Sequence, residues 1–215
     1  MNASPALAAF DAHFTRLPLV AILRGVEPGD VEGIGETLVE AGFTLIEVPM
    51  NSPEPLESIG RLARGLKGRA LVGAGTVLSA DVVEQVRDAG GEMIIAPNMN
   101  PAVIGRAASL GLPALPGIST PTEAFAALDA GATALKLFPA EGSSPAILKA
   151  MRAVLPRATR MLPVGGVSPE TMAEWVKAGA DGFGLGSALY KPGQGADAVR
   201  AAAATFVREW ADATA

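Results

Sequence analysis

Eight short apolar segments recur along the chain, and their starts lie about 20–27 residues apart. The stretches between them have the apolar spacing of amphipathic helices and are rich in good helix formers. The segments themselves are apolar nearly throughout, which is typical of parallel strands covered by helices. They span residues 19–24, 45–49, 71–77, 93–97, 114–118, 134–139, 161–167 and 182–190.

This order of strand and helix predicts an α/β fold. A closed (β/α)8 TIM barrel and a doubly wound open sheet both fit it, and the eight near-equal units favour the barrel. Residues 3–15 are predicted to form an extra helix before the first strand. Because the chain contains no linker and no low-complexity tract, residues 1–215 are expected to form a single domain.

Composition excludes several kinds of chemistry. The chain has no cysteine, which excludes thiol nucleophiles, zinc fingers and iron–sulfur clusters. Its only histidine, His13, lies on the predicted first helix, so neither a metal centre nor a Ser-His-Asp triad is expected. There is also no dinucleotide fingerprint and no P-loop. We therefore expect the protein to use no metal ion and no other cofactor.

Charge and hydropathy limit the partners. The formal net charge of −5 and the absence of any Lys/Arg-rich run argue against nucleic-acid binding. No stretch reaches the roughly 20 apolar residues of a membrane span, and the first residues lack the features of a secretory signal. We expect a cytoplasmic protein without a nucleic-acid or membrane partner.

Lys136 is the one lysine, among five, that interrupts an apolar strand. Since the flanking Leu135 and Leu137 would face the helices, Lys136 is expected to point into the barrel. Partial burial lowers the pKa of a lysine and frees a nucleophilic lone pair, which a Schiff-base lysine requires. The alternative is a structural lysine that extends to the barrel mouth or pairs with a carboxylate.

Glu47 follows the same pattern on the second predicted strand. It lies between Ile46 and Val48, so its side chain is also expected to point inward. A carboxylate inside the barrel favours a role in proton transfer. The alternative is an ion-pair partner for Arg24 or Lys136.

The seventh and eighth predicted strands contribute two glycine-rich segments, GGVS at 165–168 and GLGS at 184–187. In barrel enzymes the loops at these positions often bind a phosphate through backbone N–H groups, and glycine allows the close approach. The pair of segments therefore predicts a phosphorylated ligand. The alternative is that both are simple turns.

These motifs resemble those of one known family over about residues 17–210. The matching runs are LPLVAILRG, LIEVPMNSP, VGAGTVL, IIAPN, PGISTPTEAFAALDAGATALKLFPAE, PVGGVSPE and GLGSALY. They are similar to those of the class I aldolases of the KDPG/KHG family. The resemblance implies a metal-free barrel, usually a homotrimer, that cleaves a phosphorylated keto-deoxy sugar acid to pyruvate and D-glyceraldehyde 3-phosphate.

The resemblance also implies a role for individual residues. Lys136 would form the Schiff base, and Glu47 would transfer protons directly or through a water. Arg24 and Thr76 would contact the substrate, and Pro97 and Phe138 would line the pocket. The residues that match the phosphate-binding loops of the family are Gly165, Gly166, Gly186 and Ser187.

The sequence also bears on the configuration of the substrate at C4. Gluconate-type members usually carry Arg-Thr-Pro after the catalytic glutamate, whereas this chain has Asn51-Ser52-Pro53. The resemblance therefore favours the galactonate epimer, with Asn51 and Ser52 bordering the C4 hydroxyl, and the gluconate epimer is the alternative. Two further alternatives are a metal-free phosphosugar isomerase or decarboxylase-like barrel and a noncatalytic phosphate-binding barrel.

Overall fold

The structure is a computed structural model and describes residues 4–215. Residue 3, the first of the predicted leading helix, lies outside this range. The strands are β1 (Leu19–Ile22), β2 (Leu45–Pro49), β3 (Leu71–Gly75), β4 (Ile94–Ile95), β5 (Ala114–Leu115), β6 (Gly117–Ile118), β7 (Leu135–Leu137), β8 (Met161–Pro163) and β9 (Phe183–Leu185).

Helices connect the strands. They are α1 (Pro5–Arg16), α2 (Val31–Glu40), α3 (Pro55–Gly65), α4 (Ala80–Asp88), α5 (Pro101–Ser109), α6 (Pro121–Asp129), α7 (Pro145–Arg152), α8 (Met172–Lys177) and α9 (Ala196–Thr214), with short 3-10 turns at Ala140–Gly142 and Pro169–Thr171. Several helices begin at a side chain that accepts a hydrogen bond from a backbone N–H of the first turn, a strong local start signal. These capping residues are Ser4, Ser79, Asn100, Thr120 and Ser144.

The strands form a curled parallel sheet. One part has the order β5-β4-β3-β2-β1-β9, and the other has the order β6-β7-β8. Every strand pair is parallel, and β1 lies between β2 and β9, so the first and last strands are neighbours. This sequential order excludes the doubly wound sheet, in which the strand order reverses at a switch point. Each of the eight predicted segments contains strand residues, and the fifth contains two strands because Pro116 has no N–H to donate.

The core has two layers. The larger layer packs one side of the strands against the helices, as shown by the fully buried Leu19, Ile46 and Leu135. The smaller layer lies on the other side and includes Val20, whose side chain alternates with that of Leu19. The remaining residues of this inner layer are Phe10, Phe14, Leu45, Leu71, Met93, Ile95, Leu115, Ala134 and Leu162.

Helix α1 supplies Phe10 and Phe14 to the inner layer, at the end of the sheet where the strands begin. Arg160 holds the helix there: its guanidinium lies 4.8 Å from the Phe14 ring centroid and 2.6 Å from the Asp11 carboxylate. The apolar side chains therefore fill the interior at the amino ends of the strands. The open space is left at the carboxyl ends, where parallel α/β proteins place their sites.

Candidate active site

Lys136 lies in the middle of β7, and its side chain is 6% exposed. Its backbone N–H donates to the carbonyl of Pro116 at 2.9 Å, which fixes the strand on one side. Burial lowers the pKa of the Lys136 amine; the Glu47 carboxylate opposes this and the Arg24 cation adds to it. The result is an amine that loses its proton more readily than an exposed lysine.

Glu47 lies in the middle of β2 and is 1% exposed. Burial raises the pKa of its carboxyl group above the usual value, and the nearby Lys136 and Arg24 oppose the rise. Its Oε2 atom is buried without a hydrogen-bond partner in residues 4–215. Glycine at position 75 leaves the space for this carboxylate, since a Cβ there would collide with it. A buried carboxylate with free acceptor capacity can take up a proton from a bound ligand.

Lys136 and Glu47 line one small void of about 10 Å³, walled by Ile22, Leu162 and other apolar side chains. This volume is about the size of one water molecule. The apolar wall explains why burial dominates the pKa of both groups. The two inward-pointing polar side chains that the sequence predicts are thus brought together.

A larger cavity of about 230 Å³ opens above Lys136, at the carboxyl ends of β1, β7, β8 and β9. The predicted site residues on its lining are Arg24, Lys136, Phe138, Gly165, Gly166, Gly186 and Ser187. Thr76 and Pro97 do not line it. The reason is their position in the sheet: they follow β3 and β4, which lie on the far side of β2 from the cavity.

Arg24 reaches the cavity from the end of β1. Its Nη1 donates to Oδ1 of Asn51 at 2.5 Å, and the N–H of Gly25 donates to Oγ of Ser52 at 3.0 Å. Neither Asn51 nor Ser52 lines the cavity, and Ser52 is buried. Both residues hold the segment that carries Arg24, and their predicted position beside the C4 hydroxyl stays a prediction.

Sequence reasoning missed several residues that line the cavity. Glu141 is the only acidic one among them and lies in the 3-10 turn after β7. A search for polar residues just beyond each strand could have found it. The others are Ile22, Val164 and Ala188, whereas Val167, Ser168 and Gly184 belong to the two glycine-rich segments that the sequence predicts to bind phosphate.

The described part of the chain has neither a cluster of metal ligands nor a helix that could span a membrane. Within residues 4–215, no three His, Cys, Asp or Glu side chains are grouped so that they could hold a metal ion. No helix in that range has the length and apolar character needed to cross a membrane.

A buried amine and a buried carboxylate, beside a glycine-lined cavity at the carboxyl ends of parallel strands, are the features of an enzyme site. Comparison with known families specifies the enzyme class. Residues 10–202 match the aldolase family described as KDPG and KHG aldolase. The chain therefore belongs to the KDPG/KHG aldolase family.

Two individual proteins are similar to this chain over most of its length. A probable 2-dehydro-3-deoxy-6-phosphogalactonate aldolase of Rhizobium meliloti (strain 1021) is 49% identical over 85% of this chain and 86% of its own. The 2-dehydro-3-deoxy-6-phosphogalactonate aldolase of Escherichia coli (strain K12) is 43% identical over 93% of this chain and 97% of its own.

Solved structures share the fold. A structure described as native KDPGal matches with a TM-score of 0.91 and 43% identity, over 93% of this chain and 97% of the other. A designed cube-shaped protein cage, made by fusing symmetric oligomeric domains, also matches with a TM-score of 0.91 and 43% identity, over 93% of this chain and 74% of its own.

Proposed function

We propose that this protein is a class I aldolase that cleaves 2-dehydro-3-deoxy-6-phosphogalactonate to pyruvate and D-glyceraldehyde 3-phosphate. The observation that carries the proposal is the shared void of Lys136 and Glu47 beneath a glycine-lined cavity. An isomerase or a phosphate-binding barrel would need the glycine loops but not this amine. The names of the relatives at 49% and 43% identity supply the substrate.

Lys136 starts the proposed reaction. Its neutral amine adds to the C2 ketone, and loss of water gives an iminium ion. The iminium accepts the electron pair of the C3–C4 bond as that bond breaks. Glu47, directly or through a water, takes the proton of the C4 hydroxyl, so that the aldehyde product can leave. It then returns a proton to C3 of the enamine, and hydrolysis of the iminium releases pyruvate and regenerates Lys136.

The cavity lining orients the substrate in this proposal. Arg24 is a fixed cation at the cavity wall and suits the carboxylate of the pyruvyl end. The backbone of Gly165, Gly166, Gly186 and Ser187 would bind the phosphate at the other end. Thr76 and Pro97 do not line the cavity, so only the family resemblance supports them as contacts of the substrate.

The epimer is tested by a direct assay. Purified enzyme is given each epimeric phospho-sugar acid, and pyruvate release is followed. We expect the galactonate epimer to have the higher kcat/KM, because the relatives at 49% and 43% identity bear its name. Equal or reversed preference would contradict the epimer assignment and leave the aldolase mechanism intact. Absence of pyruvate release from both would contradict the proposed function.

We also propose that the strands close into an eight-stranded barrel with α1 across its base. A bridge between Val164 and Gly184 joins the two parts of the sheet beyond β8, and Pro116 alone separates β5 from β6.

A homotrimer is the proposed assembly. The oligomeric domains in the matching designed cage support self-association, and light scattering at known concentration would test it.

The proposed setting is galactonate catabolism in the cytoplasm. A phosphorylated sugar acid carries several negative charges and does not cross a bilayer unaided, so its cleavage is expected where it is made. Deletion of the gene followed by growth on galactonate would test this assignment. Unimpaired growth would contradict it.

A further inference from the structure

Glu141 lies where the phosphate of the proposed substrate would bind. Its side chain packs directly on Gly165 and Gly166: a Cβ added to Gly165 would lie 2.8 Å from the Cδ of Glu141 and 3.0 Å from its Oε1. A Cβ added to Gly166 would lie 3.2 Å from the same Cδ. A carboxylate therefore covers the two glycines through which the phosphate would be held.

This carboxylate has no partner that would keep it in place. Within residues 4–215, every ion pair involves other carboxylates, and Glu141 accepts no hydrogen bond. The cations on the cavity lining are Arg24 and Lys136. Arg24 donates to the neutral amide of Asn51 and keeps its positive charge, whereas Lys136 must be neutral to react. Neither cation forms an ion pair with Glu141, so a phosphate on the glycines would meet a carboxylate that no cationic side chain holds.

We propose that Glu141 is a specificity-determining residue that competes with the phosphate for the glycine loop. In the free enzyme its carboxylate covers Gly165 and Gly166, and it turns away when the substrate binds. The side chain is exposed, and rotation about its own bonds is enough to clear the loop. The inference rests on the proposed function, because it requires the glycine loop to bind phosphate.

Competition between the Glu141 carboxylate and the phosphate favours binding of the complete phosphorylated sugar acid over binding of inorganic phosphate. Inorganic phosphate would have to displace the carboxylate with the contacts of the phosphate group alone. A phosphorylated sugar acid can also bind Arg24 and Lys136. These contacts offset the free-energy cost of displacing the Glu141 carboxylate. The expected consequence is weak inhibition by inorganic phosphate.

The variant Glu141→Gln tests the proposal because it keeps the shape and removes the charge. We expect inorganic phosphate to inhibit this variant about two- to fivefold more strongly than the native enzyme, the usual effect of one exposed charge pair. In the aldol direction, its kcat/KM for glyceraldehyde 3-phosphate should rise relative to that for unphosphorylated glyceraldehyde. Glu141→Ala should change both quantities in the same direction.

The control variant is Glu174→Gln, which removes one exposed carboxylate on α8 away from the cavity. It should leave phosphate inhibition and the aldehyde ratio unchanged. Equal inhibition of native enzyme and Glu141→Gln, or a fall in the aldehyde ratio, would overturn the proposal. Native enzyme that forms no borohydride-trapped pyruvate adduct would instead contradict the proposed function, which separates the two failures.

Discussion

The Nζ atom of Lys136 lies 4.6 Å from the centroid of the Phe138 ring. The ring is one wall of the cavity and limits where the amine can point. Phe138 is itself fixed, because the Ser119 hydroxyl donates to its carbonyl at 2.8 Å. The end of β6 thus helps to position the proposed nucleophile on β7.

Replacement of Ser119 by alanine tests this arrangement. Loss of one hydrogen bond should lower the free energy of unfolding by about 1 kcal/mol and slow the formation of the pyruvate adduct. Thr120→Ala is the matched control, since Thr120 caps α6 and its loss should also cost about 1 kcal/mol. The side chain of Thr120 is hydrogen-bonded to Glu123 and not to Phe138, so adduct formation should be normal in that variant. Equal rates in the two variants would refute a positioning role for Ser119.

Replacement of Asn51 by alanine should act through Arg24. Without the Oδ1 acceptor, the guanidinium loses its fixed position, and we expect the KM for pyruvate in the aldol direction to rise roughly tenfold, as for a hydrogen bond to a charged group. Asn98→Ala, at an exposed position after β4, is the control and should leave the KM unchanged. If Asn51→Ala alters only the preference between epimers, Asn51 contacts the substrate and not merely Arg24.

The pH dependence of adduct formation reports on the Lys136 amine. Burial lowers its pKa from the usual 10.5, and a protonated amine cannot attack a ketone. The rate should therefore rise with pH and level off with a midpoint below 10.5. Glu47 opposes this lowering, so Glu47→Gln should move the midpoint to a still lower pH. A midpoint at or above 10.5 in the native enzyme would contradict the effect of burial.

Turnover should depend on Glu47 more than adduct formation does. Glu47→Gln retains the size of the side chain but cannot act as a base, so we expect kcat to fall by about 10²–10⁴-fold. Trapping of pyruvate on Lys136 should still occur, although more slowly. If the variant unfolds at lower temperature while its folded fraction turns over normally, Glu47 is a structural ion-pair partner.

Local sequence patterns predict the scaffold because they report directly on burial. The alternation of Leu135, Lys136 and Leu137 predicts the face that each side chain occupies: both leucines lie in the layer packed against the helices, and Lys136 lines the cavity. The same argument locates Glu47. Strand lengths are less well predicted: the segment 93–97 contains only the two-residue β4, because Pro97 cannot extend the hydrogen-bond ladder.

Contacts between distant loops could not be predicted in this way. Glu141 meets Gly165 only because the ends of β7 and β8 are adjacent. Asn51 and Arg24 are 27 residues apart and follow different strands, so no periodic pattern links them. The hydrogen bond between Asn51 and Arg24 was not predicted from the sequence, and contact of Asn51 with the substrate stays a prediction.

The most direct test of the account is reductive trapping of pyruvate. Enzyme incubated with pyruvate and sodium borohydride should gain one stable secondary amine, and peptide mass spectrometry should find it on Lys136. Lys136→Arg should give no adduct under the same conditions. An adduct on any of the other four lysines, or active native enzyme that gives no adduct, would contradict the assignment of Lys136 as the Schiff-base nucleophile.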